Sequence, residues 1–264
     1  MSASGSVAIS NGQLALASLL ILINVLLSVV LQLGLTRSLL LASARTIVQL
    51  LLVGHLLQWL FQQDNAVLIL AVSLVMAAIA GVSSVQRSRR RFSGIYLNSV
   101  LSVLAASALI TGLALTGIIR PDPWYAAQYL IPLQGMVLGN TLNGVSLGLD
   151  RLIENLQSER EQIEAWLAHG ATRWEAGRHA IQDAVRVAMI PTINAMVVVG
   201  LVSLPGLMTG QILQGADPSN AVRYQIVIMF MITSATALAA IGVVGLGFLA
   251  LTSAEDQLRL DRLR

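Results

Sequence analysis

The sequence has no cysteine, no lysine and few charges, and each lack removes a class of protein. Without cysteine there is no disulfide, no thiolate metal site and no thiol nucleophile. Without lysine there is no P-loop, whose lysine reaches the phosphates of a bound nucleotide, and no Schiff-base chemistry. Charged residues make up 11% of the 264 positions, against roughly 25% in soluble domains. What is there is apolar: 56% of residues are hydrophobic and the mean hydropathy is +0.76. A soluble chain of this length has no interior large enough to hide that surface, whereas a bilayer needs none. The composition therefore predicts an all-α, polytopic integral membrane protein.

A spanning helix needs about 20 apolar residues. Seven such runs are legible: Leu14–Leu35, Leu39–Phe61, Ala66–Val85, Ile95–Ile119, Tyr125–Leu149, about Val185–Leu204, and Ala221–Leu251. Polar or proline-rich stretches separate several of them, as at Gln62–Asn65, Pro121–Pro123 and Gly215–Pro218. The N-terminal stretch Met1–Gly12 has no positive charge ahead of its apolar run, so it is not expected to be a cleaved signal peptide. All 16 basic residues are arginines, and 14 of them fall in one set of loops, leaving Arg120 and Arg223 in the other. By the positive-inside rule this predicts an N-terminus outside and a C-terminus in the cytoplasm. The pI near 9.9 thus reflects membrane topology, and no nucleic-acid partner is expected. The cluster Arg87–Arg91 reads first as an anchor to anionic lipid heads, with a regulatory role as the alternative.

The longest connection predicted to be cytoplasmic, about residues 150–184, holds 7 of the 13 acids. Leu149, Leu152, Ile153, Leu156, Ile163, Trp166 and Leu167 recur at steps of three and four, the pattern of an amphipathic helix. Gly170 suits a left-handed position just past the end of that helix. Thr172 with Glu175 three residues on is a capping-box pattern that starts a second helix, expected to run on into the sixth span. Such a helix-turn-helix can be gripped through its apolar stripe by a partner, or can lie on the lipid surface. Physical reasoning leaves both open.

Glu164-Ala165 followed by Gly170 resembles the EAA-type loop of ABC importer permeases, where a short helix couples to the ATPase subunit. A broader resemblance is to the Fet-type family of iron-export ABC permeases and to the plant aluminium-tolerance ABC half-permeases related to it. It is carried by Ala44–Leu50 with Val53-Gly54, by Ile131-Pro132 with Gly135-Met136 and Gly139-Asn140, and by Leu167–Thr172. The longest matching block is Gly200–Gly210, followed by Ala216–Pro218 and Arg223–Ile226. The resemblance implies a homodimeric permease subunit, one transmembrane domain over residues 1–264, in the bacterial inner membrane. It implies a separate ABC ATPase partner docked on Glu161, Glu164, Ala165, Trp166, Leu167, His169, Gly170 and Thr172. It implies metal export for bacterial members and a nucleotide sugar for plant ones, so the substrate class stays open.

No Asp or Glu occupies the middle of any predicted span. That weakens a proton-coupled secondary transporter, since intramembrane carboxylates are costly and kept for such work. A secondary transporter or channel remains the alternative; an intramembrane metalloprotease would need a His-Glu-x-x-His cluster that is absent. Neutral polar residues gather instead: Gln134, Met136, Asn140 and Asn143 in the fifth span, Asn194 and Met196 in the sixth, then Met208. They are candidates for the substrate path; the alternative is small-residue helix packing with interhelical amide hydrogen bonds. Pro191, Pro205 and Gly206 are candidate helix interruptions, and interrupted helices at membrane depth line cavities. Met208, Met229 and Met231 could ligate a soft metal, although methionine more often fills gaps. His55 reads as hydrogen-bonded rather than metallated. Arg45 and Gln49 share a helix face near the predicted cytoplasmic side, where Arg45 either snorkels to the lipid interface or braces the coupling region. No cofactor is expected and no metal-ligand set is defined.

Overall fold

A computed structural model of the chain describes residues 10–86, 91–253 and 255–263, so Arg87, Arg89, Arg90 and Arg264 lie outside the described residues. Among the described residues regular structure is helical, with ten α-helices. The chain divides into two compact units, Met1–Asp64 with Gly210–Asp217, and Asn65–Thr209 with Pro218–Arg264.

The first unit is built on a helical hairpin, α1 (Asn11–Val30) and α2 (Thr36–Leu60). Ser10 caps α1: its hydroxyl accepts from the Gln13 N–H, and the Gln13 side chain accepts in return from the Ser10 N–H at 2.8 Å. The connecting turn uses positive φ at Gln32 and Gly34 and is tied by Ser28, whose hydroxyl accepts from the Leu35 N–H at 3.0 Å. His55 is hydrogen-bonded within α2, its Nδ1 lying 2.8 Å from the Leu51 carbonyl.

The second unit holds α3 (Ala66–Gln86), α4 (Ile95–Leu113) extended by a π-helical turn (Ala114–Ile119), and α5 (Ala127–Ser158). Then come α6 (Arg160–Ala168), α7 (Arg173–Ala176), α8 (Arg178–Val198), the start of α9 (Gly206–Leu213), and α10 (Pro218–Ala250). Small residues set how closely these helices pack. A Cβ on Gly81 would lie 2.6 Å from the Val100 backbone, and the Ser99 hydroxyl donates to the Gly81 carbonyl at 2.9 Å, which locks α3 onto α4. Gly144 and Gly148 bring α5 against α8 and α10 in the same way.

Among the described residues six helices are long and apolar enough to cross a membrane: α1, α2, α3, α4 with its π-helical turn, α8 and α10. The expected fifth span, α5, has the length, at 32 residues, but not the apolarity. The reason is its position: α5 packs on α3, α4, α8 and α10, and a helix walled in by protein can carry amides that lipid would penalise. It also runs on past Leu149, so Leu152, Ile153 and Leu156 belong to α5 and not to a separate first helix of the insert, which begins after a turn at Glu159. The sixth span ends at Val198, earlier than the expected Leu204, because the chain folds into a closed turn: Gly200, at φ +82°, donates to the Ser203 carbonyl at 2.9 Å.

Candidate functional site

Two cavities in the second unit share a wall made by Gln225 and Met229 of α10. The larger, about 480 Å³, is faced by Met196, Met208 and Phe230 and by the turn residues Val199, Gly200 and Leu204. The smaller, about 370 Å³, is faced by Met136 and Asn140 of α5, Thr192 of α8, and Pro205-Gly206. The irregular backbone between α8 and α9 therefore lines both, where its turn geometry keeps it off the helical ladder. Asn140 donates through Nδ2 to the Met136 carbonyl at 2.9 Å, which leaves its Oδ1 as the end that can meet a ligand. Thr233 places its hydroxyl 2.8 Å from the Met229 carbonyl and 3.0 Å from the Met196 sulfur, fixing the latter side chain. Gln225 is 6% exposed, and its Oε1 is buried with no hydrogen-bond partner.

Met136, Asn140, Met196, Met208, Pro205 and Gly206 thus come together around these cavities. Gln134 does not: it faces α3, donating through Nε2 to the Ser73 carbonyl at 3.1 Å while the Ser73 hydroxyl donates to its Oε1. Asn143, Pro191 and Asn194 lie on uncovered helix surface and line neither cavity. Arg45 and Gln49 lie uncovered on α2, in the first unit. Among the described residues no group of three or more His, Asp or Glu could hold a metal ion. The donors are carboxamides, a hydroxyl and thioethers, all neutral. Sequence reasoning missed Gln225 and Thr192; the signal was weak, since Gln225 lies about two turns inside α10 close to Asn220 and Arg223.

The helix-turn-helix forms one end of the same unit. Gly170, at φ +89°, ends α6 in a Schellman motif: Gly170 donates to the Leu167 carbonyl at 3.0 Å and Ala171 to the Trp166 carbonyl at 3.1 Å. Thr172 and Glu175 complete the capping box of α7, the Thr172 N–H donating to Glu175 Oε2 at 2.8 Å. Hydrogen bonds from the Thr172 hydroxyl and backbone hold the Glu175 carboxyl below its ordinary pKa. Gly177 forms the turn between α7 and α8, and its lack of a side chain leaves room for the Phe248 ring, which a Cβ there would strike.

Most of the apolar stripe expected to be offered to a partner is not available; Trp166 alone stays exposed. Leu152, Ile153, Leu156 and Ile163 are buried against Phe248 and Leu251 in the chain's own core, and Leu167 is half-buried there. The rest of the stripe is taken up by the chain's own core, which includes Phe248 of α10 and Leu251 just beyond it. The outer face that remains carries Glu161, Glu164, Ala165, Trp166, His169 and Thr172, with Trp166 56% exposed and Trp174 46% exposed. Gln162, Ala165, Trp166 and His169 line a shallow hollow on α6. Behind this face, Arg151 donates to Asp183 at 2.5 Å and Asn155 donates to the same carboxylate at 3.0 Å, tying α5 to α8. The C-terminal tail adds a second tie: Arg173 donates from its backbone to Asp256 at 3.2 Å and from its guanidinium to the Ser253 carbonyl at 3.1 Å.

A bundle of membrane-length helices with two half-open cavities lined by neutral residues and an attached polar helix-turn-helix defines a polytopic integral membrane protein. The chain belongs to the Uncharacterised protein family (UPF0014), whose family model matches residues 11–251. It is 46% identical to a UPF0014 membrane protein of Synechocystis sp., over 80% of this chain and 82% of that one. It is 34% identical to the "Probable iron export permease protein FetB" of Escherichia coli, over 97% of each chain. It is 32% identical to the protein ALUMINUM SENSITIVE 3 of Arabidopsis thaliana, over 86% of this chain and 82% of that one. No solved structure matches it.

Proposed function

We propose that the chain is the membrane-spanning permease subunit of an ABC transporter, a single permease domain in function, working as a homodimer and exporting a metal ion, iron. The observation that carries this reading is the outer face of α6 and α7. It is polar and acidic, it presents Trp166 uncovered and Trp174 half-exposed with its ring against Phe248, and its underside is tied to α5, α8 and α10. Force applied at that face reaches the helices that line the cavities, since α5, α8 and α10 each contribute to them. Aromatic residues framed by polar ones suit a protein partner, and acids on the face oppose an anionic lipid surface. The chain has no lysine for a nucleotide site, so the energy comes from a separate ATPase chain on the cytoplasmic side, to which the arginine distribution assigns this end. Iron export is carried over from the Escherichia coli relative, a probable iron export permease protein.

The test is co-purification of the chain from its native membrane, followed by ATPase assays with the captured ATP-hydrolysing subunit. Gly170→Pro, which cannot adopt the left-handed backbone, is expected to abolish stimulation of ATP hydrolysis while expression persists. Substrate flux in liposomes with no ATPase present would refute the reading and favour a secondary transporter or channel.

A further inference from the structure

We infer that the uncovered face of α5 and α8 carrying Asn140, Asn143 and Asn194 is where a second copy of this chain seats, the same face of each copy meeting across a two-fold axis. This seam rests on the homodimer of the transport reading and deepens it by naming the surface through which the copies meet.

The first observation is depth. A Cβ on Gly144 would strike Thr236 and the Ala188 backbone, so this level of α5 lies beside the middle of α10 and of α8, two helices of membrane length. Asn143 directly precedes Gly144, Asn140 lies one turn away, and Asn194 lies beyond Ala188 by about 9 Å along α8. All three therefore fall within a hydrocarbon layer whose half-thickness is about 15 Å. The second observation is exposure. Asn140, Asn143 and Asn194 are all exposed, and Asn140, Asn143 and Leu147 share one side of α5 at steps of three and four. By contrast, every exposed residue of α3 between Val67 and Ile79, and of α4 between Leu97 and Leu113, is apolar. Those sides suit acyl chains as they stand. The amide face does not, because a lipid tail offers a carboxamide no hydrogen-bond partner.

The third observation is chemical complementarity. A carboxamide carries both a donor and an acceptor, so its own kind satisfies it. A two-fold seam supplies that, since a residue that meets a given position on the partner is met by the same position in return. Interhelical amide bonds hold helices together inside membranes. The occupant that fits is thus another copy. Asn140 also lines the smaller cavity, so a seam here sets the like cavities of two copies alongside one another.

The chain has no cysteine, so a nitroxide on a single introduced cysteine reports the seam without background. Full-length Asn143→Cys, Asn194→Cys, Leu74→Cys and Leu109→Cys chains are labelled, returned to liposomes, and compared by double electron–electron resonance. The labels at 143 and 194 are expected to show a defined spacing between copies, shorter than those at 74 on α3 and 109 on α4. Either amide site serves if the other variant fails to fold. Asn143→Leu, made in the labelled Asn194→Cys chain, is expected to weaken the dimer about threefold on dilution with lipid, the worth of one interhelical amide bond.

A shortest spacing at 74 or 109 overturns the seam. So does the lack of any spacing between copies, which would mean that lipid or the chain's own N-terminal hairpin covers the face. An Asn143→Leu dimer as strong as its parent refutes it as well. No ATPase or cargo enters these measurements, so flux without an ATPase would sink the ABC reading and leave the seam in place, whereas a dimer paired through α3 or α4 would spare that reading.

Discussion

Two glycines of α5, five residues apart, should respond to alanine in opposite directions. Gly144 lies where α5 crosses both α8 and α10: a Cβ placed on it would stand 2.5 Å from Thr236 Cγ2 and 3.0 Å from the Ala188 carbonyl oxygen. Thr236 is fully buried and β-branched, and the Ala188 oxygen is helix backbone, so neither can swing aside cheaply. Relief requires α5 to withdraw by several tenths of an ångström from two helices at once. Overpacking of this kind costs about 1–3 kcal/mol, which in a chain of this size lowers the melting temperature by roughly 2–12 °C. Gly139, by contrast, has nothing within 4 Å of its would-be Cβ. Alanine there only restricts the unfolded chain and improves helix propensity, worth up to about 1 kcal/mol in favour of the fold. Thermal unfolding of the two variants in one detergent, followed by tryptophan fluorescence, is the assay. Ala188 and Thr236 are one turn from Thr192 and Ile232 of the smaller cavity, so Gly144→Ala should also impair transport more than its stability loss explains. A Gly144→Ala protein that melts within a degree of wild type, or a Gly139→Ala protein that melts lower than Gly144→Ala, would refute the packing described for this junction.

The other expectations concern the helix-turn-helix. Gly170→Ala meets no atom within 4 Å, so its whole cost is the left-handed backbone, about 1–2 kcal/mol, and hydrogen exchange should speed up locally across residues 167–176 with little change elsewhere. The Glu175 carboxyl titrates below its ordinary value because Thr172 donates to the ionised form. Its contribution is therefore present above the unfolded-state pKa and is lost as pH falls through the lowered folded value. Trp174 fluorescence should report loosening of α7 in that acidic window, and Glu175→Gln should remove the pH step. Asp256→Ala removes a partly exposed partner of Arg173, worth up to about 1 kcal/mol, and should raise the rate of limited proteolysis in residues 252–263 while global melting barely moves.

How far the sequence disclosed this molecule depends on the range of the interaction involved. Apolar run length identified six of the seven expected spans, and the Gly170 turn and the Thr172–Glu175 box were legible because each is made by residues within five positions of one another. Where a feature depends on what lies across the bundle, the pattern misled. Gln134, Asn140 and Asn143 read alike as amides on one helix, yet Gln134 serves α3, Asn140 borders a cavity and Asn143 borders neither cavity, and only the neighbours decide which. The four glycines accompanying them likewise divide into two close contacts, Gly144 and Gly148, and two, Gly135 and Gly139, where alanine would fit. The amphipathic stripe of the insert signalled burial correctly but not against whom; α10 supplies Phe248, which a local pattern cannot show. Gln225 is the sharpest case. In the sequence it is one amide in an apolar helix of 33 residues, and nothing local distinguishes a packing amide from a working one. Its partnerless Oε1 emerges only when α5, α8 and the turn after Val198 close around it without providing a donor.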